Sequence, residues 1–205
     1  MLVQDNVQAL TNTIVNLVLF SSIPFLWWLL LHRKKEKLFS WLGIKRPAFK
    51  NYRALFLLFG LFLLILIGSN FFLILEPSEN AVSQYRGMGA SAIFRGLLFG
   101  IIQTGASEEI FFRGFLAKRF IKVLGFVAGN ILQAALFGLL HVALLLLAIA
   151  SFDLLQVCLL FLVPFLGGLL FGYVNERQAG GSIIPSWCMH SAGNVITSII
   201  AMFSV

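Results

Sequence analysis

Long apolar runs without a charged side chain dominate this sequence. Residues 13–31 and 54–75 form two such runs, and a helix needs about 20 apolar residues to cross the hydrocarbon core of a bilayer. Of the 205 residues, 60% are hydrophobic and 11% are charged, which is more apolar surface than a soluble domain can bury. Transmembrane β-strands would instead alternate in polarity, and these runs do not. The sequence therefore predicts an all-α membrane protein.

The apolar runs and the turns between them predict six spans. They cover residues 11–31, 54–75, 90–112, 129–150, 154–174 and 183–203. The amphiphilic residues 38–49 are expected to form an interfacial helix. In the fifth span, Gly167, Gly168 and Gly172 would let a neighbouring backbone approach closely. The expected fold is a polytopic bundle of these spans plus the interfacial helix, in a single membrane domain of residues 1–205.

The positive charge indicates the orientation of the bundle. The net charge is +7, and the densest group of cations, residues 33–53, follows the first span. Cytoplasmic loops carry an excess of Lys and Arg, so we expect this region in the cytoplasm and the N-terminus outside. The loop after Glu76 and the turn at Asp153 would then be outside. Because the cations flank apolar spans, they indicate contact with membrane lipids and no nucleic acid partner.

Cys158 and Cys188 both lie in apolar segments, thirty residues apart. This spacing in a membrane protein does not indicate a disulfide framework. We expect both cysteines to be packing residues.

Hydrogen-bonding and ionisable side chains occur at four places inside the later spans. They are Glu108 and Glu109 with Arg113, then His141, His190 and Asn194. Counted from the cytoplasmic ends of the helices at about 1.5 Å per residue, they lie roughly 15 to 20 Å deep. Ionisable residues at such depth are costly and usually functional. Three helices therefore bring polar groups to a similar level of the membrane.

The spacing within the helices predicts which groups meet. Glu109 and Arg113 are four residues apart, so they share a helix face and can form an ion pair. Glu108 projects about 100° away from Glu109. His190 and Asn194 are again four residues apart. We expect Glu109 and Arg113 to form a structural ion pair, and Glu108 to face a cavity shared with His141, His190 and Asn194.

Such a cavity has the groups needed to hydrolyse a peptide bond. A carboxylate can act as general base on a water molecule, with an imidazole that orients the same water. A second imidazole and an amide can stabilise an oxyanion. The residues alone do not separate a hydrolase from a proton-coupled transporter. Two His and one Glu also match some catalytic zinc sites, but the amide suits an oxyanion better, so we expect no metal and no cofactor.

Three motifs in these spans resemble those of one known family. The segment EEIFFR, residues 108–113, matches EExxxR; FGLLH, residues 137–141, matches FxxxH; and HSAGN, residues 190–194, matches HxxxN. In this order they are similar to the CPBP family of membrane proteases, which includes CAAX prenyl endopeptidases and bacteriocin-processing enzymes and is also called the ABI family. The resemblance covers about residues 90–203.

The resemblance implies an intramembrane glutamate protease acting on a hydrophobic or lipidated peptide. Glu108 and His141 would activate the water, and His190 and Asn194 would form the oxyanion hole. Glu109, Arg113 and Phe137 would support the site, which would open toward the cytoplasm. Residues 90–205 would then be a four-helix catalytic core, and residues 1–89 two N-terminal spans with a basic cytoplasmic loop. The expected location is the cell membrane of a prokaryote.

Other membrane protease chemistries lack their residues in this sequence. There is no HExxH motif of zinc proteases and no GxSG motif of rhomboid-like serine proteases. Presenilin-like enzymes need two intramembrane aspartates, and Asp5 and Asp153 are both predicted at outer ends. The remaining alternative is a non-proteolytic membrane protein, either a proton-coupled transporter or a scaffold or immunity protein that keeps the polar cluster.

Overall fold

The computed structural model describes residues 2–75, 82–148 and 154–204, and it confirms the all-α fold. The α-helices are α1 (Leu2–Leu31), α2 (Leu38–Leu42), α3 (Tyr52–Leu75), α4 (Ile93–Leu98), α5 (Lys118–Ala148), α6 (Leu154–Tyr173) and α7 (Ile184–Phe203). Three π-helical segments, Phe99–Ala106, Glu109–Ala117 and Val174–Gln178, and two 3₁₀ turns, Ser83–Tyr85 and Gly89–Ala92, complete the described elements.

Three helices in the described ranges are long and apolar enough to cross a membrane: Val3–Leu31, Gly89–Leu144 and Leu154–Gln178. The second contains two of the predicted spans. Tyr52–Leu66 in α3 is a shorter apolar helix. The sixth predicted span, α7, has 20 residues but carries polar side chains such as His190 and Asn194. The predicted outer positions Glu76 and Asp153 lie outside the described residues.

A glycine turns the long helical stretch Gly89–Leu144 back on itself. Gly125 has φ 78° and ψ 169°, a conformation that residues with a side chain rarely adopt. After the turn, Gly129 packs so closely on the backbone that a Cβ would lie 2.4 Å from the amide nitrogen of Ile121. The Phe112 and Phe137 rings then meet, 4.9 Å apart. The third and fourth predicted spans therefore pack as a hairpin.

Close packing of α5 on α6 fixes the position of this hairpin. A Cβ on Gly168 would lie 3.0 Å from Ala134, and one on Gly172 would lie 1.9 Å from Oδ1 of Asn130. Side-chain amides join the same helices, since Gln133 Nε2 donates to the Gly168 carbonyl at 2.8 Å. The expected close approach is confirmed at Gly168 and Gly172, whereas Gly167 has only one loose neighbour, a Phe62 carbon at 3.6 Å.

The segment predicted as an interfacial helix is helical over less than half of its length. Only Leu38–Leu42 is helical, and it ends at Gly43 with φ 83°. The chain that follows is held to the turn before α7. The amide of Ala48 donates to the Ala179 carbonyl at 3.2 Å, and the amide of Lys50 donates to the Gln178 carbonyl at 2.9 Å. Backbone pairing between residues 43–50 and 178–183 replaces the helix predicted there.

Candidate active site

Glu109 lies at the centre of a buried polar cluster. It is the first residue of the π-helical segment Glu109–Ala117, and it is fully buried. Its Oε1 lies 3.0 Å from Nη1 of Arg113, so the structure contains the ion pair that the spacing predicted. Its Oε2 accepts a hydrogen bond from the hydroxyl of Ser186, on α7.

His190 lies between the two glutamates. Its Nδ1 is 3.1 Å from Oε1 of Glu109, and its Nε2 is 3.8 Å from Oε2 of Glu108. His190 therefore lies beside Glu108, as expected, and also contacts Glu109, which was not expected. The reason is that Ser186 and His190 are one helical turn apart on α7, and both face Glu109. A carboxylate only accepts hydrogen bonds, so Nδ1 of His190 carries a proton.

Glu108 has a carboxylate oxygen without a hydrogen bond. The residue is 7% exposed, and its Oε2 has no hydrogen-bond partner among the described residues. A buried polar atom without a hydrogen bond costs folding free energy, so this oxygen does not stabilise the fold through a hydrogen bond.

The hydrogen bond of His141 determines which ring nitrogen is basic. Nδ1 lies 2.8 Å from the backbone carbonyl of Phe137, one turn earlier in α5. A carbonyl only accepts, so Nδ1 carries the proton and Nε2 keeps its lone pair in the neutral ring. The ring also packs edge-on against Phe137, with centroids 4.7 Å apart. His141 is therefore oriented as a hydrogen-bond acceptor at Nε2.

Asn194 is one turn beyond His190 on α7. Its Nδ2 donates to the hydroxyl of Thr104 at 2.7 Å, and Thr104 is itself one turn before Glu108. The two helical segments approach closely here because a glycine faces α7: a Cβ on Gly105 would lie 2.6 Å from the hydroxyl of Ser191. The side-chain amide of Asn194 therefore lies one helical turn along α7 from the contacts between His190 and the glutamates.

Aromatic rings enclose the guanidinium of Arg113. It is 1% exposed, and its carbon Cζ lies 4.1 Å from the ring centroid of Phe137 and 5.1 Å from that of Phe171. Such cation–π contacts are strongest when they are desolvated. Phe137 also meets His190 edge-on at 5.9 Å. One ring thus contacts the arginine and both histidines.

Comparison with protein families finds a match for the part of the chain that holds these polar residues. The sequence model of the family described as type II CAAX prenyl endopeptidase Rce1-like matches residues 89–196, more than half of the chain. The chain belongs to the Rce1-like family. The resemblance to CAAX endopeptidases is thereby confirmed, and the protein is a multi-pass membrane protease of the CAAX type. No curated protein and no solved structure matches the chain.

All the motif residues lie inside the Rce1-like match, residues 89–196. Three further polar residues of this region join the hydrogen-bonded cluster around the motif residues and were not predicted. They are Thr104, Ser186 and Asn175, whose Nδ2 donates to the Ser186 hydroxyl at 2.7 Å. Ser186 and Thr104 precede His190 and Glu108 by four residues, so extending each helix face by one turn would have found them.

Among the described residues, no group of three or more His, Cys, Asp or Glu side chains is arranged to hold a metal ion. The polar groups around Glu109 are joined by hydrogen bonds and ion pairs instead, with Arg113, Ser186 and His190 as its partners.

Proposed function

We propose that this Rce1-like protein is a glutamate-type endopeptidase in which Glu108 activates the attacking water. The observation that carries the proposal is the free Oε2 of Glu108, buried beside His190 in a chain of a CAAX protease family. Glu109, in contrast, already holds Arg113, Ser186 and His190. A base needs a free lone pair, and Glu108 has one.

In the first step, the water oxygen attacks the carbonyl carbon of the scissile peptide bond. Glu108 takes one proton of the water, and Nε2 of His141 accepts a hydrogen bond from the other. The Nδ1 hydrogen bond to Phe137 supports this role because it leaves Nε2 with its lone pair. When the tetrahedral intermediate collapses, the C–N bond breaks and the proton on Glu108 passes to the leaving amine.

The oxyanion of the intermediate would be stabilised by His190 and Asn194. Nδ1 of His190 already donates to Glu109, so donation from Nε2 requires the doubly protonated imidazolium. The carboxylates of Glu109 and Glu108 lie 3.1 and 3.8 Å from the two ring nitrogens. The Asn194 amide is oriented by its bond to Thr104. Preorganised donors of this kind stabilise the transition state without reorganising during the reaction.

Glu109, Arg113 and Phe137 act as positioning residues. The carboxylate of Glu109 fixes His190, the guanidinium neutralises that carboxylate, and the Phe137 ring covers the guanidinium and flanks both histidines. Because Glu109 and Arg113 are fully buried, removing either charge alone leaves the other without compensation. We expect variants at these positions to lose folding stability as well as activity.

The proposed substrate is a hydrophobic or lipidated peptide in the membrane. The family match supports a CAAX-type peptide with a prenyl group. We further propose that the site opens toward the cytoplasm, with the N-terminus outside, because the cation-rich residues 33–53 lie between the first two spans.

Replacing Glu108 by glutamine tests this function. Glu108→Gln keeps the shape of the side chain but removes its basicity, so cleavage of a prenylated CAAX peptide by purified protein should fall by roughly 10²–10⁴ in kcat. Glu36→Gln, at an exposed position, is the matched control and should keep full activity. Unfolding temperatures of both variants establish that the fold is intact.

His141→Ala is the companion variant, and it should lose activity by a comparable factor. Cleavage that persists in both Glu108→Gln and His141→Ala would contradict the proposed mechanism. A folded unmodified protein without any cleavage of prenylated or unlipidated hydrophobic peptides would instead favour a non-proteolytic function for the polar cluster.

A further inference from the structure

An apolar cavity lies on the other side of α7 from Glu109. Its volume is about 390 Å³, within the range of small-molecule pockets, roughly 300–1,000 Å³. It is bounded by the first two turns of α3, the first turns of α7 and the linker between α2 and α3. The lining residues are Pro47, Phe49, Leu55, Phe56, Phe59, Ile184, Pro185, Cys188, Met189 and Ala192.

Four exposed cations alternate with these lining residues along the chain. Lys45 and Arg46 precede Pro47, Lys50 follows Phe49, and Arg53 is one turn before Phe56. Residues 38–75 contain no Asp or Glu. In the described ranges, none of the four cations forms an ion pair. The rim of the cavity is therefore strongly basic, and its own segment of the chain supplies no acidic residue.

The backbone holds this rim in place. The amides of Ala48 and Lys50 donate to carbonyls of residues 179 and 178, and Ser182 Oγ donates to the Lys45 carbonyl at 2.6 Å. The linker is thereby tied to the turn that begins α7. The linker therefore holds Lys45, Arg46 and Lys50 close to the start of α7, which forms one wall of the cavity.

Along α3, a cation comes before the apolar lining residues, in the same order as the headgroups and acyl chains of a membrane leaflet. Arg53 is in the first turn of α3, and Leu55, Phe56 and Phe59 follow within about 10 Å along the helix. Phe56 is 75% exposed, so this side of the cavity is at the lipid-facing surface. A phosphate at the level of Arg53 would lie next to an acyl chain at the level of Phe59.

We propose that this cavity and its basic rim bind one anionic phospholipid. An acyl chain would fill the cavity, and the phosphate would be held by Lys50 and Arg53, with Lys45 and Arg46 adding to the local positive field. Anionic headgroups are attracted to basic residues at a membrane surface, and the apolar walls supply the hydrophobic contact. The site is separate from the proposed catalytic groups, although α7 forms a wall of both.

The reactivity of the Cys188 thiol reports whether the cavity is occupied, because this residue lines the cavity. Cys158, on α6, is also exposed and is an internal control in the same molecule. The protein is placed in nanodiscs of palmitoyl-oleoyl phosphatidylcholine, with or without phosphatidylglycerol carrying the same chains. Alkylation by N-ethylmaleimide is then followed at each cysteine by mass spectrometry. The readout does not depend on peptidase activity.

We expect phosphatidylglycerol to slow alkylation of Cys188 several-fold and to leave Cys158 unchanged, since an occupied site is protected in proportion to its occupancy. The double variant Lys50→Gln, Arg53→Gln should abolish the protection. The matched double variant Lys34→Gln, Lys35→Gln removes the same charge from exposed positions away from the lining residues and should retain the protection.

Three results would overturn the proposal. They are equal rates at Cys188 in both lipid mixtures, equal slowing at Cys188 and Cys158, and protection that survives Lys50→Gln, Arg53→Gln. Protection of Cys188 by a prenylated peptide in phosphatidylcholine alone, with no effect of phosphatidylglycerol, would assign the cavity to the lipid of a substrate and would equally reject an anionic phospholipid.

Discussion

The two adjacent glutamates have different surroundings, and these surroundings suggest different roles. Glu109 is fully buried and has three polar partners, whereas Oε2 of Glu108 has no hydrogen bond among the described residues. Only a carboxylate with a free lone pair can take a proton from water. Glu109, with its three polar partners, therefore orients His190, and Glu108 is the proposed base.

Thr104→Val tests the support of the proposed oxyanion hole. The change keeps the shape of the side chain but removes the hydroxyl that accepts the Asn194 hydrogen bond. One hydrogen bond contributes about 0.5–1.5 kcal/mol, so kcat should fall up to about 10-fold. KM should stay unchanged if the amide acts mainly on the transition state.

The control for Thr104→Val is Thr11→Val. The hydroxyl of Thr11 donates to the Val7 carbonyl within exposed α1, so this variant should keep the kcat of the unmodified protein. A kcat for Thr104→Val equal to that of Thr11→Val would show that the hydrogen bond between Thr104 and Asn194 has no part in catalysis.

Residue spacing predicted the contacts within one helix better than those between helices. The interval from Glu109 to Arg113 is enough to predict their ion pair, since both positions belong to one helix face. The contact of His190 with Glu109 depends on how α7 is rotated against its neighbour, and the sequence alone does not contain that angle. Ser186 was missed because the helix face of His190 and Asn194 was not followed one further turn toward the start of α7.

At the scale of elements, the site is built on unusual helical geometry. Both Phe99–Ala106 and Glu109–Ala117 are π-helical, and they flank Glu108. The hydroxyls of Thr104 and Ser107 donate to carbonyls five residues earlier, as this wider geometry allows. π-Helical turns are rare and frequently occur at functional sites. Apolar content predicted these helices but not their π geometry, because both types of helix bury similar residues.

Gly138→Ala tests whether the close packing of α5 on α6 holds the hairpin in place. A Cβ at this position would lie 2.7 Å from the backbone oxygen of Phe161, so the helices would have to move apart. We expect a loss of about 1–3 kcal/mol in folding free energy, measured as a lower unfolding temperature, together with reduced activity because α5 carries His141.

Gly60→Ala is the matched control for this change. It is also a helical glycine, but a Cβ there would have no neighbour within 4 Å. Its unfolding temperature should stay the same or rise, since alanine favours helix over glycine by about 1 kcal/mol. Equal unfolding temperatures for the two variants would show that close contact at Gly138 does not determine the packing.

At the scale of the whole molecule, helices outside residues 89–196 pack against the matched region. On α1, Asn16 Nδ2 donates to the Gln103 carbonyl at 3.0 Å, and Phe20 meets Phe111 at 5.7 Å. On α3, Phe62 packs against Phe171 at 4.9 Å, and Phe171 in turn lies beside Arg113. These contacts extend the packing around the site, and the sequence motifs gave no indication of them.

The proposed orientation can be measured with single cysteines. In a background of Cys158→Ala and Cys188→Ala, the exposed positions Gln4→Cys and Lys35→Cys should react differently with a membrane-impermeant maleimide. Because cytoplasmic loops are rich in Lys and Arg, Gln4→Cys should be labelled in intact cells and Lys35→Cys only after lysis. The reverse labelling pattern would place the basic loop outside and contradict the proposed orientation.

The central claim is that Glu108, and not Glu109, takes the proton of the water. Chemical rescue with formate tests this claim directly, because a small carboxylate can occupy the space left by a truncated side chain. Cleavage of a prenylated CAAX peptide by Glu108→Ala should be abolished and then partly restored as formate is added, whereas formate should not restore Glu109→Ala. Rescue of Glu109→Ala alone, or full activity of Glu108→Ala without formate, would contradict the proposed role of Glu108.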